Sequence, residues 1–186
     1  MTSDASLDRL ARAVRAVQDS LPSTTVTDEA AARAAEALEQ AAAVLQPFRV
    51  SVTPSTEWSV LGMNRGVRSL SPVLVDGDWG EMRMQAQVTF TDFFHGANGA
   101  AHGGTIPLLF DEIFGRMSTS DGVLRRAASL TVDFRSVTLL NVEHTIEAHL
   151  DRTEGRKSWL VGTLRHGDVV TAEASSLWIT LRPGAL

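Results

Sequence analysis

One segment limits what this chain can fold into more than any other. Between Gly104 and Met117, Ile106, Leu109, Phe110, Ile113 and Phe114 spread around a helical wheel, joined by Pro107 and Leu108. A helix that is apolar on nearly every side has to be enclosed by other protein. The chain after it offers only strands to do so. Residues 129–135 alternate, with Leu130, Val132 and Phe134 on one side. Residues 142–150 set Val142, His144, Ile146, Ala148 and Leu150 against Glu143, Thr145, Glu147 and His149. Segments 158–165 and 169–181 follow, joined by the short turn His166-Gly167-Asp168. Strands in succession without intervening helices imply an antiparallel sheet, hence an α+β fold around one central helix.

The first part of the chain has a different texture. Residues 6–21 read as a helix with Leu7, Leu10, Val14, Val17 and Leu21 on one face, broken at Pro22. Thr27 is placed to cap a second, alanine-rich helix that runs to about Leu45 and stops at Pro47. A helix so thin in large apolar groups needs something to pack on. Four arginines against seven acidic residues in 1–46 argue against a DNA-reading helix pair. The expectation is a packing or dimer-supporting extension over 1–46, followed by the main domain over 47–186. Within that domain, 61–72 reads as a loop containing Gly62, Asn64 and Gly66. Strands at 73–75 and 81–90 flank Asp76-Gly77-Asp78, a hairpin turn signal, and 92–101 is glycine-rich loop.

Composition narrows the chemistry. The chain has no cysteine, which removes disulfides, thiolate metal sites and cysteine nucleophiles, and no tyrosine, which removes a phenol acid or base. A net charge of −5 argues against non-specific nucleic-acid binding. No apolar stretch approaches the roughly 20 residues that span a bilayer. Asp4, Asp8, Arg9 and Arg12 interrupt any secretory signal pattern, so the expected compartment is the cytoplasm.

Two features of the central helix carry chemistry. Asp111 has only uncharged neighbours three and four positions away: Pro107, Leu108, Phe114 and Gly115. Burial among them would raise its pKa, as suits an acid/base group working near neutral pH. Glu112 has Arg116 four residues later and is expected in a surface ion pair. Pro107, tolerated only in a first turn, places the helix start at Gly103 or Gly104. The unpaired N–H groups of that end suit an anion or a developing oxyanion.

The stretch GANGAAHGGTIPLLFDEIFG resembles the motif of hot-dog-fold acyl-CoA thioesterases of the phenylacetate-degradation type. There a Gly-x-x-His-Gly-Gly segment opens the central helix and a carboxylate follows the histidine by nine positions. Gly99, His102, Gly103, Gly104 and Asp111 match, and element order agrees from about Val73 to Leu181. The resemblance implies a hot-dog fold, an antiparallel sheet wrapped around a central helix, and hydrolysis of an acyl-CoA thioester to free acid and CoA. Asp111 would activate water or attack the carbonyl itself. Gly103 or Gly104 would hold the oxyanion, with His102 positioning the thioester. Asn98 and Gly99 fall in the substrate-binding part of the motif. No metal or separate cofactor is implied, and the expected assembly is a homodimer or a dimer of dimers with its sites shared between chains. Gly96 stands where many relatives carry asparagine, and Val137 where proline is frequent. One branch has a hydroxyl residue near Ala127; Ser129 is the nearest substitute and is expected to orient the water. Cations for the CoA phosphates are Arg125, Arg126, Arg135, Arg156 and Lys157, the last being the only lysine.

Other chemistries fit less well. GANGAAHGG is not the Gly-x-Gly-x-x-Gly dinucleotide fingerprint, and there is no Gly-x-Ser-x-Gly elbow. His144 and His149 lie five apart on a strand and face opposite ways, a poor metal pair. His95 reads as a loop histidine. A hot-dog hydratase or dehydratase would carry a histidine five residues after the aspartate, where this chain has Arg116. A hot-dog protein that binds acyl-CoA without hydrolysing it is the remaining alternative.

Overall fold

The computed structural model describes residues 4–22, 24–48, 71–72 and 74–182. The loop expected at 61–72 lies almost wholly outside them. Helix α1 (Asp4–Ser20) is followed by α2 (Asp28–Leu45), which ends in a 3₁₀ turn at Gln46–Phe48. The Thr27 hydroxyl accepts a hydrogen bond from Ala30 N–H at 3.2 Å, the expected N-cap. The main body comprises strands β1 (Leu74–Gly80) and β2 (Arg83–Thr89), helix α3 (Thr105–Ser118), then β3 (Arg125–Phe134), β4 (Glu143–Glu154), β5 (Lys157–His166) and β6 (Val169–Thr180). The six strands form one antiparallel sheet in the order β1-β2-β4-β5-β6-β3, curled round α3, with β1 and β3 as its edges. No described helix is long and apolar enough to cross a membrane.

The core forms where one face of α3 meets the inner face of the sheet. Ile106, Leu109, Phe110, Ile113, Phe114 and Met117 are buried against Met84, Ala86 and Val88 of β2, Ile146 and Ala148 of β4, Leu160 and Leu164 of β5, and Ala172, Ala174 and Trp178 of β6. Each large side chain buried this way contributes about 1.5–3 kcal/mol. Phe110 and Phe114 stack with ring centroids 5.7 Å apart. The sheet makes room for them with small residues. A Cβ added at Gly162 would lie 2.9 Å from the Glu147 carbonyl oxygen and 3.0 Å from Phe110 Cε1. The alternation expected in β4 is present: His144, Ile146 and Ala148 are buried, while Glu147 and His149 face away.

The first hairpin turns later than its sequence suggests. β1 runs through Asp76-Gly77-Asp78 with a bulge between Val75 and Asp78, and the chain reverses at Glu81-Met82, where Met82 has φ +54°. The reason is Trp79: a Cβ on Gly77 would meet its indole Nε1 at 2.6 Å, so this glycine leaves space for a ring instead of forming the turn.

Helix α1 is tied to the body by polar contacts. Asp19 Oδ1 accepts from the Thr91 hydroxyl at 2.6 Å and from Phe93 N–H at 3.4 Å, and Arg15 donates to the Ser71 carbonyl at 3.0 Å. Helix α2 buries none of its residues.

Replacement of Gly162 by alanine is expected to destabilise the protein by about 1–3 kcal/mol, the usual cost of overpacking a closed core. Urea unfolding measures this, and an unchanged or higher midpoint would contradict the packing described.

Candidate active site

The sheet fixes the rotation of α3, and with it what the helix leaves uncovered. With the aromatic face turned inward, the stripe formed by Gly104, Pro107, Leu108, Asp111 and Gly115 is only partly covered by the described residues. Asp111 is therefore exposed within one chain, not enclosed as its apolar neighbours suggest. Its carboxyl still titrates above the ordinary range, because the surrounding helix and strands strip away part of its solvation. Glu112 departs in the opposite sense: it is 9% exposed, not a surface residue. It lies on the flank of α3 shared with Arg116, whose guanidinium sits 3.8 Å over the Trp79 ring of β1.

The start of the helix is built by the preceding loop. Ala97 to Ala100 form a tight turn in which Ala100 N–H donates to the Ala97 carbonyl at 3.0 Å, with Asn98 at φ +55° and Gly99 at φ +74°. Two successive positive φ values mark a type I′ turn, for which Asn-Gly is the favoured pair. The two residues form the turn themselves, a hairpin signal that the glycine-rich appearance of the segment concealed. His95 pairs with Ala101 across it. Gly96 is required by the same loop: a Cβ there would lie 2.9 Å from His102 Cα and 3.0 Å from His102 N. An asparagine has no room at this position.

His102 and the two glycines have distinct parts. Gly104 N–H donates to His102 Nδ1 at 3.0 Å, and the Thr105 hydroxyl donates to the His102 carbonyl at 2.6 Å. With Nδ1 accepting, the imidazole proton resides on Nε2, which is left as a donor. Of the two candidate oxyanion donors, Gly104 is thus already engaged. Gly103 N–H has no partner among the described residues, and a Cβ on Gly103 would meet only Phe134 Cζ, at 3.8 Å.

Ser129 does not join this group. In β3 the residues paired with buried positions of β6 face α3: Ala127 with Trp178, Leu130 with Ser176, Val132 with Ala174. A bulge between Ala127 and Ser129 inserts Ala128 and inverts the alternation, so Ser129 pairs with Leu177 on the far side of the sheet. Ala127, not Ser129, occupies the helix-facing position.

The cations divide as well. Arg125 forks onto both carboxylate oxygens of Asp121 at 2.8 Å and onto the Ser118 carbonyl at 2.6 Å, which fastens the end of α3 to β3. Its hydrogen bonds hold the Asp121 carboxyl below the ordinary range. Arg135 pairs with Glu173 at 2.6 Å and with Asp133 at 3.4 Å at the other end of β3. Arg126 and Lys157 flank Ile179 on neighbouring strands, and Arg156 donates to the Thr180 carbonyl at 3.1 Å. Four of the five candidates thus meet at one end of the sheet; Arg135 is apart.

No family model matches the chain. Among solved structures it is similar to a thioesterase superfamily protein at 26% identity, over 92% of this chain and 94% of that one, with a TM-score of 0.77. That coverage is too broad to omit both N-terminal helices. It is also similar to the Escherichia coli PaaI protein of the phenylacetic acid degradation operon, at 15% identity over 69% and 92% of the two chains, TM-score 0.59. A third similar structure is the smu.793 protein of Streptococcus mutans, solved bound to acetyl CoA, at 17% identity over 59% and 89%, TM-score 0.55. The chain has the hot-dog fold, and its solved neighbours place it with the thioesterase superfamily.

Proposed function

We propose that this protein is an acyl-CoA thioesterase that works as a two-fold dimer, with Asp111 as its catalytic carboxylate. The observation that carries this reading is a carboxyl group with a raised pKa on an open, otherwise uncharged helix stripe. The choice of a CoA ester is supported by neighbours solved with acetyl CoA or with coenzyme A.

The reaction follows from these groups. Water attacks the thioester carbonyl carbon as Asp111 takes its proton, and the carbonyl oxygen becomes an oxyanion that accepts from Gly103 N–H. His102 Nε2–H positions the same oxygen or its neighbour. The C–S bond then breaks, and the departing thiolate recovers the proton from Asp111, leaving acid and CoA. In the alternative route Asp111 attacks first, and water hydrolyses the resulting anhydride. Either way the carboxylate is regenerated, and no metal or redox cofactor is called for. Arg126, Arg156 and Lys157 are the cations proposed for the CoA phosphates.

A single chain cannot bring the donor and the base together. Gly103 and Asp111 are eight residues apart, roughly 12 Å along a helix at about 1.5 Å per residue. Both have to reach one carbon and its oxygen. Antiparallel packing of two α3 stripes about a two-fold axis sets Gly103 of one chain against Asp111 of the other and makes two equivalent sites. The surface left by one chain favours such a contact: β3 is an unpaired edge, and Phe134, Val137 and Leu139 remain exposed beside it.

Release of free thiol from a panel of acyl-CoAs tests the reading. Asp111→Asn preserves shape but cannot accept the proton, so kcat is expected to fall by about 10²–10⁴-fold. Near wild-type turnover by the folded variant would remove Asp111 from the mechanism. Because the ionised form is the active one and its pKa is raised, kcat/KM should climb with pH through a midpoint above the ordinary carboxylate range. A profile already flat at pH 5 would contradict that shift. Ser129→Ala should leave kcat within about twofold of wild type, as suits a solvated position outside the site; a large loss would restore Ser129 to the mechanism.

A further inference from the structure

Resting on the thioesterase reading, we infer that Trp178 is the end wall of the acyl pocket and restricts this enzyme to short acyl groups. Gly115 lies four residues after Asp111 on the same open stripe of α3, so it is the next surface that an acyl chain meets along the helix. At Gly115 the space closes against an indole. A Cβ built on Gly115 would touch Trp178 Cη2 at 3.5 Å, the one atom of the described residues within 4 Å of it apart from its chain neighbours and the adjoining helix backbone. Trp178 faces the helix from β6, and its cross-strand neighbour on the edge strand β3 is the small residue Ala127.

The contact at Gly115 is made by the far end of the indole, which no smaller side chain reaches. Trp178 is 7% exposed, and its Nε1 is buried with no hydrogen-bond partner among the described residues. An unpaired buried donor costs stability. A phenylalanine would avoid that cost but would stop short of the helix. The role assigned to the ring is therefore its length.

The distance from Asp111 to Gly115 limits the acyl group. Four residues span roughly 6 Å at about 1.5 Å per residue, which holds about four or five carbon–carbon bonds of about 1.5 Å each. The half-buried side chains of Leu130 and Val132 on the helix-facing side of β3 give such a chain an apolar lining. Substrates are thus predicted to be CoA thioesters of acids with up to about six carbons in line.

The experiment compares kcat/KM for acetyl-, butanoyl-, hexanoyl-, octanoyl- and decanoyl-CoA in the wild type, Trp178→Phe and Gly115→Ala. The wild type should fall off steeply beyond hexanoyl-CoA. Trp178→Phe removes the reach to Gly115 and should raise the octanoyl-to-butanoyl ratio by about tenfold, the lower end of what a small change in an apolar pocket is worth. Gly115→Ala adds an atom at ordinary contact distance from the ring and favours helix, so it folds even where Trp178→Phe does not. It should lower the hexanoyl-to-acetyl ratio. A wild type that hydrolyses decanoyl- and butanoyl-CoA equally well overturns the inference while leaving the thioesterase reading intact. So do folded variants that keep the wild-type profile. A wild type inactive on every thioester removes the reading itself and the inference with it.

Discussion

The alanines and the glycine on the inner face of the sheet close on the aromatic face of α3, and this contact fixes the rotation of the helix about its axis. Ala86, Ala148, Gly162, Ala172 and Ala174 leave the space that Phe110 and Phe114 fill. A Cβ on Gly162 would lie 3.0 Å from Phe110 Cε1, so the ring already rests against the β5 backbone and a turn of α3 toward that strand has no room. Once the aromatic face is turned inward, the stripe carrying Asp111 has to face outward. The incomplete cover of Leu108, Asp111 and Gly115 follows from that one constraint, while the protein beside Asp111 still strips away enough solvation to raise its pKa.

The same constraint separates what the sequence made legible from what it did not. Features set by local chemistry were readable: the Thr27 cap, the start of α3 near Gly104, and the alternation of β4. The apolar residues of α3 point nearly all round, so no amphipathic direction distinguished Asp111 from Glu112, and packing reversed the expected exposure of the pair. The first hairpin offered Asp76-Gly77 as a turn, but Trp79 needed that glycine, and the reversal moved to Glu81-Met82. Ser129 was chosen as the hydroxyl nearest Ala127, but the extra residue at Ala128 breaks the alternation between them and puts Ser129 on the face away from α3. Asn98-Gly99 was legible in principle as a type I′ turn, since the pair carries its own signal.

The loop before α3 shows how a short motif divides its work. Gly96 and the Asn98-Gly99 turn build the loop, and His102 takes up the Gly104 amide, while the Gly103 amide has no partner among the described residues. The cost of leaving a helix N-terminal donor unsatisfied is small where solvent reaches it. It becomes useful where an oxyanion replaces the water, because such donors need no reorganisation as charge develops. The distance from that donor to Asp111 on one helix is what makes a second chain part of the proposed site.

Subunit mixing tests that central claim most directly. Asp111→Ala chains and Gly103→Leu chains are each expected to be inactive alone; the second substitution is accommodated by the fold, because a Cβ at Gly103 meets only Phe134 at 3.8 Å. Co-refolded and isolated as mixed dimers, they place both lesions in one site and none in the other, so about half of the wild-type kcat per dimer should return, as closed two-fold symmetry requires. Verified mixed dimers as inactive as their parents would contradict a site shared between two chains.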